Sequence, residues 1–233
     1  MPTQPPVEPP ESGWVFPDPA SADDDDLVSM GADLEPGTIL AAYRRGLFPM
    51  PTADADSPML WWSPQERGVL PLREFRASRS LRQSARRMEI RVDTAFAEVI
   101  DACANPVRDS GWIDGRILDA YTRLHELGWV HSVETWQDDK LVGGLYGVAT
   151  GGLFAGESMF HRVTDASKVA LMGLVDILRD EYADHRLLDV QWQTPHLASL
   201  GVVQVRRSSY TRMLKRALEI PLPQLVARAD RSG

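Results

Sequence analysis

The sequence GGLFAGESMFHRVTDASK, residues 151–168, joins an apolar run that contains glycines to the start of a helical pattern. Its glycines permit close backbone approach, and Glu157 is a single carboxylate within the apolar run. We predict a strand over 152–159 and a helix over 167–181. Glycines, one carboxylate in an otherwise apolar run and backbone donors at a helix start are typical of a binding cleft, although a plain apolar strand with a glycine bend has the same pattern.

A second apolar stretch, LLDVQWQ at residues 187–193, carries two polar side chains. If residues 186–191 form a strand, its two-residue period places Asp189 and Gln191 on one face. Polar groups on a buried strand need either partners or a chemical task, and a structural hydrogen-bonded pair explains this pattern equally well. Glu157 would meet both residues if its own strand were a neighbour.

The hydrophobic periodicity of the remaining chain alternates between helical and extended patterns. It predicts further helices over 79–88, 94–104, 114–127 and 208–218, and further strands over 89–93 and 202–206. Strands over 130–137 and 140–149 flank Asp138-Asp139, which predicts a β-hairpin. This mixture predicts an α+β fold with a mixed sheet flanked by helices.

Changes in composition divide the chain into four parts. Residues 1–13 are acidic and rich in proline, so we expect a disordered head. Residues 14–72 form a small N-terminal domain that ends in a stretch broken by prolines. Residues 73–219 form the main domain, and residues 220–233 are a tail.

The composition favours a cytoplasmic location. The 233 residues include no run of about 18 apolar residues, so we expect no membrane span. The first residues lack the basic start and apolar centre of a secretory signal. The single cysteine, Cys103, excludes an intramolecular disulfide and a multi-cysteine zinc site, and the five histidines show no metal-binding spacing, so no metal is expected. No amphipathic partner helix stands out, which favours a monomer.

The net charge of −8 hides an uneven distribution. Residues 1–43 contain nine acids and no lysine or arginine, whereas residues 44–233 contain 25 basic and 24 acidic groups. Seven arginines lie between residues 73 and 91, and a second cluster comprises Arg206, Arg207, Arg212, Lys215 and Arg216. Local basic clusters are compatible with a polyanionic partner, but a solvated helix face accounts for them as well.

Six motifs together resemble one family, the leucyl/phenylalanyl-tRNA–protein transferases. In chain order they are LWWSP (60–64), GWID (111–114), AYTRLHELGWVHSVETW (120–136), LVGGLYGV (141–148), LFAGESMFHRVTDASKVAL (153–171) and LLDVQWQTPHLASLG (187–201). The resemblance implies a small N-terminal domain and a GNAT-like acyltransferase domain. It also implies transfer of Leu, Phe or Met from aminoacyl-tRNA to proteins that begin with Arg or Lys, which marks them for degradation by the N-end rule.

The resemblance also suggests roles for individual residues. It places Glu157, Asp189 and Gln191 in the catalytic centre. The set expected to hold the 3′ adenosine is Trp61, Trp62, Trp112, Tyr121 and Phe154. The side-chain pocket would be lined by Leu171, Leu174, Val175, Leu178 and Leu188, which serve equally well as core. Candidates for the tRNA backbone are Arg79, Arg82, Arg86, Arg87, Lys168, Arg206 and Arg207.

Amine attack on an ester needs no metal, redox cofactor or enzyme nucleophile, so no cofactor is expected. We assign Gln191 to hold the ester and the amine, and Asp189 to orient Gln191 and relay the amine proton. Glu157 would position the adenosine or the cationic acceptor, and the roles of the two acids can also be exchanged on the sequence alone. Two residues depart from the family pattern: His161 replaces a serine, and Asp165 replaces an asparagine at the helix start, where an aspartate is a good cap.

Two other classes of protein remain open. An acyl-CoA N-acyltransferase on the same fold would need a glycine-rich pyrophosphate loop before the helix at 167, and the sequence lacks one. A binder of tRNA ends without catalytic activity would keep the aromatic residues but would not need Asp189 and Gln191 together.

Overall fold

The computed structural model describes residues 5–22, 25–52, 54, 57–105 and 113–225. The described chain contains a small three-stranded sheet followed by a larger mixed sheet flanked by helices, which confirms the predicted α+β class with a small N-terminal domain. The likeness to the GNAT fold stays a prediction. Within these ranges no helix combines the length and apolar character that a membrane span requires.

The N-terminal domain is built around a short antiparallel sheet. Its strands are β1 (Leu27–Met30), β2 (Phe48–Met50) and β3 (Leu60–Trp62), with β3 in the centre. Helix α1 (Pro36–Tyr43) precedes β2 and begins with proline in its first turn, where a missing N–H costs nothing. Strand β2 matters for the site because its residues face the larger domain.

The larger sheet has seven strands among the described residues, in the order β10-β4-β9-β8-β7-β6-β5. The strands are β4 (Glu66–Val69), β5 (Glu89–Val92), β6 (Val130–Gln137), β7 (Lys140–Thr150), β8 (Leu153–His161), β9 (Leu187–Asp189) and β10 (Val203–Arg206). Strands β8 and β9 are parallel, and all other pairs are antiparallel. Their pairing ends at Ala155 and Asp189, although β8 continues for six more residues.

Six helices accompany this sheet within the described residues. They are α2 (Arg79–Ala85), α3 (Phe96–Ala104), α4 (Gly115–Glu126), α5 (Ala166–Leu178), α6 (Pro195–Ser199) and α7 (Arg207–Leu218). The apolar faces of α3 and α4 pack on one side of the sheet, and α5 packs on the other with α2 beside it. Helix α5 makes the connection between β8 and β9, as parallel neighbours require.

Most predicted elements agree with the structure to within a few residues. The hairpin of β6 and β7 is confirmed, and Asp138 and Asp139 both have the positive φ angles of a tight hairpin turn. The largest differences are at two predicted elements. The helix expected over 167–181 ends at Leu178, and the strand expected over 186–191 ends at Asp189 because Gln191 adopts a left-handed φ of 57°.

The boundary between the domains differs from the expected position at residue 72. Strand β4, at residues 66–69, pairs with β9 and β10 and so belongs to the larger sheet. The larger sheet therefore includes residues 66–69, which the sequence assigned to the N-terminal domain. The sequence predicted a boundary closer to the C-terminus, because Pro64 and Pro71 flank β4 and hide its strand pattern.

Within the acidic head, which is expected to be disordered, the described residues 5–13 contact the rest of the protein. The backbone N–H of Val7 donates to the carbonyl of Leu127 at 2.9 Å, and the indole of Trp129 donates to the carbonyl of Val7 at 2.8 Å. Glu8 forms an ion pair with Arg44 at 2.6 Å. A proline-rich segment loses little backbone entropy on docking, which allows so few contacts to hold it.

Candidate active site

An apolar cavity of about 400 Å³ lies where β8 continues beyond the end of β9. One wall comes from α5 and the sheet, and includes the predicted pocket residues Leu171, Leu174 and Leu188. The opposite wall comes from the N-terminal domain, through Phe48, Pro49 and Met50. The other lining residues are Leu145, Gly156, Glu157, Ser158, Met159, Val190, Gln191, Trp192, Thr194 and Leu197.

Only part of the predicted pocket set lines this cavity. Val175 and Leu178 are fully buried on α5 and pack in the core instead. The sequence could not separate these residues from Leu171 and Leu174, because all four are leucine or valine on the buried side of one helix. The wall from β2 was missed altogether, since Pro49 within the strand and Pro51 after it interrupt any periodic pattern.

Glu157 reaches the polar end of the cavity through a β-bulge. Tyr146 pairs with Ser158 and Gly147 pairs with Gly156, which leaves Glu157 as the extra residue on β8. Bulges re-aim side chains and are common beside active sites. Glycine is required at 147 because a Cβ there would lie 2.3 Å from the carbonyl oxygen of Ala155. The bulge turns the carboxyl of Glu157 toward the residues that follow β9.

The carboxyl of Glu157 lies among polar groups that are themselves poorly solvated. The hydroxyl of Tyr121 donates to it at 3.4 Å, and the hydroxyls of Tyr121 and Tyr43 are 2.6 Å apart. The pKa of Glu157 is raised to about 8, mainly by desolvation and also by the nearby charge of Asp189, while the hydrogen bonds of Tyr43 and Tyr121 and the charge of Arg67 act to lower it. A pKa in this range favours the protonated carboxyl of Glu157 at neutral pH.

Asp189 and Gln191 meet through the backbone. The backbone N–H of Gln191 donates to Asp189 Oδ1 at 2.9 Å, and the Gln191 side-chain amide donates to Glu157 Oε1 at 3.2 Å. The predicted strand face is thus wrong in its geometry, since the chain turns at Gln191. Asp189 has no exposed surface, whereas Gln191 lines the cavity.

Arg67 and Tyr210 complete the surroundings of Asp189. The Arg67 guanidinium donates to both carboxylate oxygens, at 2.9 Å and 2.6 Å, and the Tyr210 hydroxyl donates to Oδ2 at 2.7 Å. Burial alone would lower the pKa of Arg67, but the charge of Asp189 raises it. Sequence reasoning missed both residues. The one signal was that Arg67 directly precedes the apolar run GVL at residues 68–70.

The aromatic residues predicted for the adenosine fall in different places. Trp61 and Phe154 have no exposed surface and pack in the core. Tyr121 is also buried, behind Glu157. Trp62 is partly exposed, and its ring makes an edge contact with Trp192 at a centroid distance of 6.1 Å. Trp112 lies outside the described residues.

Trp62 and Trp192 therefore provide the aromatic surface near the cavity. Trp192 lines the cavity and was not among the aromatic residues that the sequence predicted for this role. The indole nitrogen of Trp62 is buried and has no acceptor within the part of the chain that the structure describes.

Among the predicted tRNA-backbone residues, five are exposed, one is buried, and Lys168 is partly buried and pairs with Asp165 at 2.9 Å. Arg79, Arg82, Arg86 and Arg87 are exposed on α2 and the turn after it, and Arg206 is exposed on β10. Arg207 instead is buried and donates to the backbone carbonyls of Ser63, Pro19, Ala22 and Asp25. It joins the N-terminal segments to α7, so its guanidinium is fully engaged.

Asp165 precedes α5, but it does not cap the helix as expected. Its φ angle is left-handed, at 68°, and its carboxylate accepts from Ser84 at 3.0 Å and from Lys168 at 2.9 Å. The hydrogen bond from Lys168 lowers the pKa of Asp165. The carboxylate therefore ties α5 to α2. His161, the other departure, is exposed at the end of β8.

Comparison with known proteins agrees with this geometry. Residues 69–215 match the family model described as leucyl/phenylalanyl-tRNA protein transferase, and residues 32–65 match the model of its N-terminal domain. Leucyl/phenylalanyl-tRNA–protein transferases from Pseudoalteromonas atlantica and Aromatoleum aromaticum are 45% and 51% identical to the chain. The first alignment covers 90% of each protein, and the second covers 82% of this chain and 81% of the relative.

A relative from Legionella pneumophila with the same name is 42% identical over 91% of this chain and 95% of its own length. These matches, with the cavity and its polar end, define an enzyme of the aminoacyltransferase class. The chain belongs to the leucyl/phenylalanyl-tRNA–protein transferase family.

Proposed function

We propose that the protein transfers Leu, Phe or Met from the 3′ end of an aminoacyl-tRNA to the α-amino group of proteins that begin with Arg or Lys, and so marks them for N-end-rule degradation. The cavity is the observation that carries this proposal. It is apolar along its length, has room for a side chain that is unbranched at the β-carbon, and ends at Glu157 and Gln191. A donor residue seated in it would present its ester bond to those two groups.

The reaction joins the amine nitrogen to the ester carbonyl carbon and breaks the bond to the ribose 3′-oxygen. One proton leaves the nitrogen and one reaches the 3′-oxygen. The α-amino group has a pKa of about 8, so part of it is already neutral and nucleophilic at physiological pH. Orientation of the two substrates can then supply much of the rate enhancement. The side-chain amide of Gln191 is placed to hold the ester carbonyl as negative charge develops on its oxygen.

Glu157 is the group that we assign to proton transfer. Its carboxyl is protonated at neutral pH and borders the cavity, so it can give a proton to the 3′-oxygen and receive one from the amine. Asp189, in contrast, has no exposed surface and already accepts four hydrogen bonds. We therefore assign Asp189 to orienting the turn at Gln191 rather than to relaying the amine proton.

We also propose that the tRNA approaches from the side of α2. The exposed arginines of α2, Lys168 and the cavity all lie on the α5 side of the sheet. Contacts to phosphates would be independent of sequence and sensitive to salt. The partly exposed ring of Trp62, with Trp192, supports adenosine binding at the cavity mouth. We further propose a monomeric protein in the cytoplasm.

The test supplies the purified protein with labelled leucyl-tRNA and with two peptides, one beginning with Arg and one with Ala. A parallel reaction supplies acetyl-CoA instead of the tRNA. The proposal expects label on the Arg peptide alone. Acetyl transfer without aminoacyl transfer would identify an acyl-CoA enzyme, and tRNA binding without any transfer would identify a binder.

A further inference from the structure

Arg67 is a buried cation at the junction of the two domains. Its side chain is only 1% exposed, and it lies on β4 between the segments matched by the two family models. Besides both oxygens of Asp189, the guanidinium donates to the carbonyl of Gly46 at 3.1 Å. It also lies between two aromatic rings, 4.7 Å from the centroid of Phe48 and 4.4 Å from that of Tyr210.

Stability alone does not explain this arrangement. Two charges taken out of water lose their hydration, and an apolar pair of the same volume is often as stable as a buried ion pair. What an arginine adds is a planar fork that fixes the positions of its partners, and an aromatic ring on each face fixes the plane of the fork. The arrangement therefore suits a role in holding other groups at defined positions.

The residues that contact Arg67 are connected to both walls of the cavity. On one side, Phe48 lines the cavity and makes an edge contact with Trp192 at 5.0 Å. On the other side, Asp189 accepts the backbone N–H of Gln191 and so stabilises its left-handed conformation.

The neighbouring residue reinforces the same turn. Gly68 donates its backbone N–H to the carbonyl of Gln191 at 2.7 Å and accepts from the N–H of Val190 at 3.0 Å. A Cβ at residue 68 would lie 2.9 Å from the backbone nitrogen of Gln193, so only glycine permits this approach. Arg67 and Gly68 thus hold the turn through a side chain and through the backbone.

We propose that Arg67 is a positioning residue that acts through Asp189 and Tyr210 to place the amide of Gln191 opposite the Phe48 wall. The inference rests on the proposed function, because it assigns Gln191 to the ester. It implies that Arg67 affects the rate of transfer through Gln191 and has little effect on the binding of tRNA. Because Arg67 is enclosed by protein, it would act on the rate without touching the substrate.

The test is a double-mutant cycle between Arg67→Lys and Gln191→Ala, measured as single-turnover transfer from leucyl-tRNA to an Arg-initiated peptide. Lysine keeps the charge and loses the fork. We expect Arg67→Lys to lower the rate by about tenfold or more with the Kd for leucyl-tRNA within about twofold. In the Gln191→Ala background, Arg67→Lys should lower the transfer rate by less than about threefold, because the amide that Arg67 positions is already absent.

Arg186→Lys is the matched control. Arg186 is also buried, forms an ion pair with Asp180 at 2.5 Å and lies over the ring of Tyr182, but it is at the opposite end of β9. Its substitution should change the thermal midpoint as much as Arg67→Lys does and leave the transfer rate within about twofold. An equal loss of rate in both variants would show a general effect on stability and would overturn the inference.

Tyr210→Phe covers the case in which Arg67→Lys does not fold. It keeps the ring over the guanidinium and removes one hydrogen bond to Asp189, so we expect a rate about threefold to tenfold lower, again without a further effect in Gln191→Ala. An unchanged rate in Tyr210→Phe, or full additivity with Gln191→Ala, would overturn the inference while wild-type transfer still supports the proposed function. A wild-type protein that transfers nothing would overturn both.

Discussion

The side-chain amide of Gln191 donates to the carboxyl of Glu157 across 3.2 Å, although 34 residues separate the two along the chain. One comes from a bulge in β8 and the other from the turn that follows β9. The bulge in β8 and the end of β9 both follow directly after the last residues paired between the two strands, Ala155 and Asp189. The gap between them is the polar end of the cavity, so the bulge and the turn together create the site.

Gln191→Ala should lower the rate of transfer by about 10² without weakening tRNA binding. The amide is assigned to the developing oxyanion, and loss of one such donor has effects of this size. Single-turnover kinetics and a filter-binding Kd for leucyl-tRNA would separate the two quantities. Gln204→Ala is the control, since Gln204 is exposed on β10. A fall in affinity with an unchanged rate would assign Gln191 to binding instead.

Glu157→Gln should change how stability depends on pH. The folded protein holds a proton on Glu157 up to about pH 8, whereas an unfolded glutamate releases it near pH 4.5. Unfolding between these values therefore releases a proton, and raising the pH favours unfolding of the wild type. Glutamine imitates the protonated carboxyl at every pH.

The variant and the wild type should therefore have similar free energies of unfolding near pH 5. By pH 9 the variant should be the more stable by about 1–2 kcal/mol, a moderate value because the side chain is partly exposed. Urea denaturation at several pH values would measure this. Glu181→Gln, at an exposed glutamate, is the control. A constant difference across the range would mean that Glu157 is ionised at neutral pH.

Leu171→Phe should narrow the cavity and change the donor preference. The residue lies on α5 and lines the cavity, so a larger ring removes space from the donor side chain. We expect kcat/KM to fall about tenfold or more for phenylalanyl-tRNA and less for leucyl-tRNA, as for other hydrophobic pockets. Met213→Phe on the exposed side of α7 is the control. Equal losses for both donors would place the donor side chain elsewhere.

Substitution of Arg82 and Arg86 by Ala should weaken tRNA binding and its dependence on salt. Both are exposed on or beside α2, which packs against α5. Each lost phosphate contact should reduce the slope of log K against log salt by about 0.7–0.9. Arg123→Ala is the control, because Arg123 is on α4 across the sheet and pairs with Glu35. An unchanged slope would exclude this face as the tRNA surface.

The sequence predicted those parts of the protein that follow local rules. The hairpin at Asp138-Asp139 and the helix that begins near Ser167 were correct because turn chemistry and apolar spacing are local signals. Asp189 and Gln191 were singled out as polar groups in an apolar strand. Their contact runs through the backbone N–H of Gln191, which depends on a left-handed turn that strand periodicity cannot represent.

Residues that act across the fold were beyond the reach of sequence patterns. Arg67 meets Asp189 over 122 positions, and Phe48 reaches the cavity from the other domain. Nothing near either residue indicates its partner. Trp61 and Trp62 show the same difficulty within one motif, because strand alternation buries the first and leaves the second partly exposed.

Deletion of residues 1–13 should destabilise the protein without affecting transfer. The deletion removes the hydrogen bond between Val7 and Leu127 and leaves the buried indole of Trp129 without its acceptor. We expect the free energy of unfolding to fall by about 1–3 kcal/mol, because the loss of an acceptor from a buried donor costs this much. Residues 5–13, the part of the head that the structure describes, do not line the cavity, so the transfer rate at 25 °C should stay within about twofold.

Glu8→Ala is the matched control for this deletion. It removes only the ion pair with Arg44, in which Glu8 is 56% exposed, and exposed pairs contribute about 1 kcal/mol or less. If the deletion and Glu8→Ala have the same small effect on urea denaturation, the backbone contacts of Val7 contribute nothing and the head is only loosely held. A large loss of transfer in the deletion alone would instead give the head a role at the site, through α1 and the β2 wall.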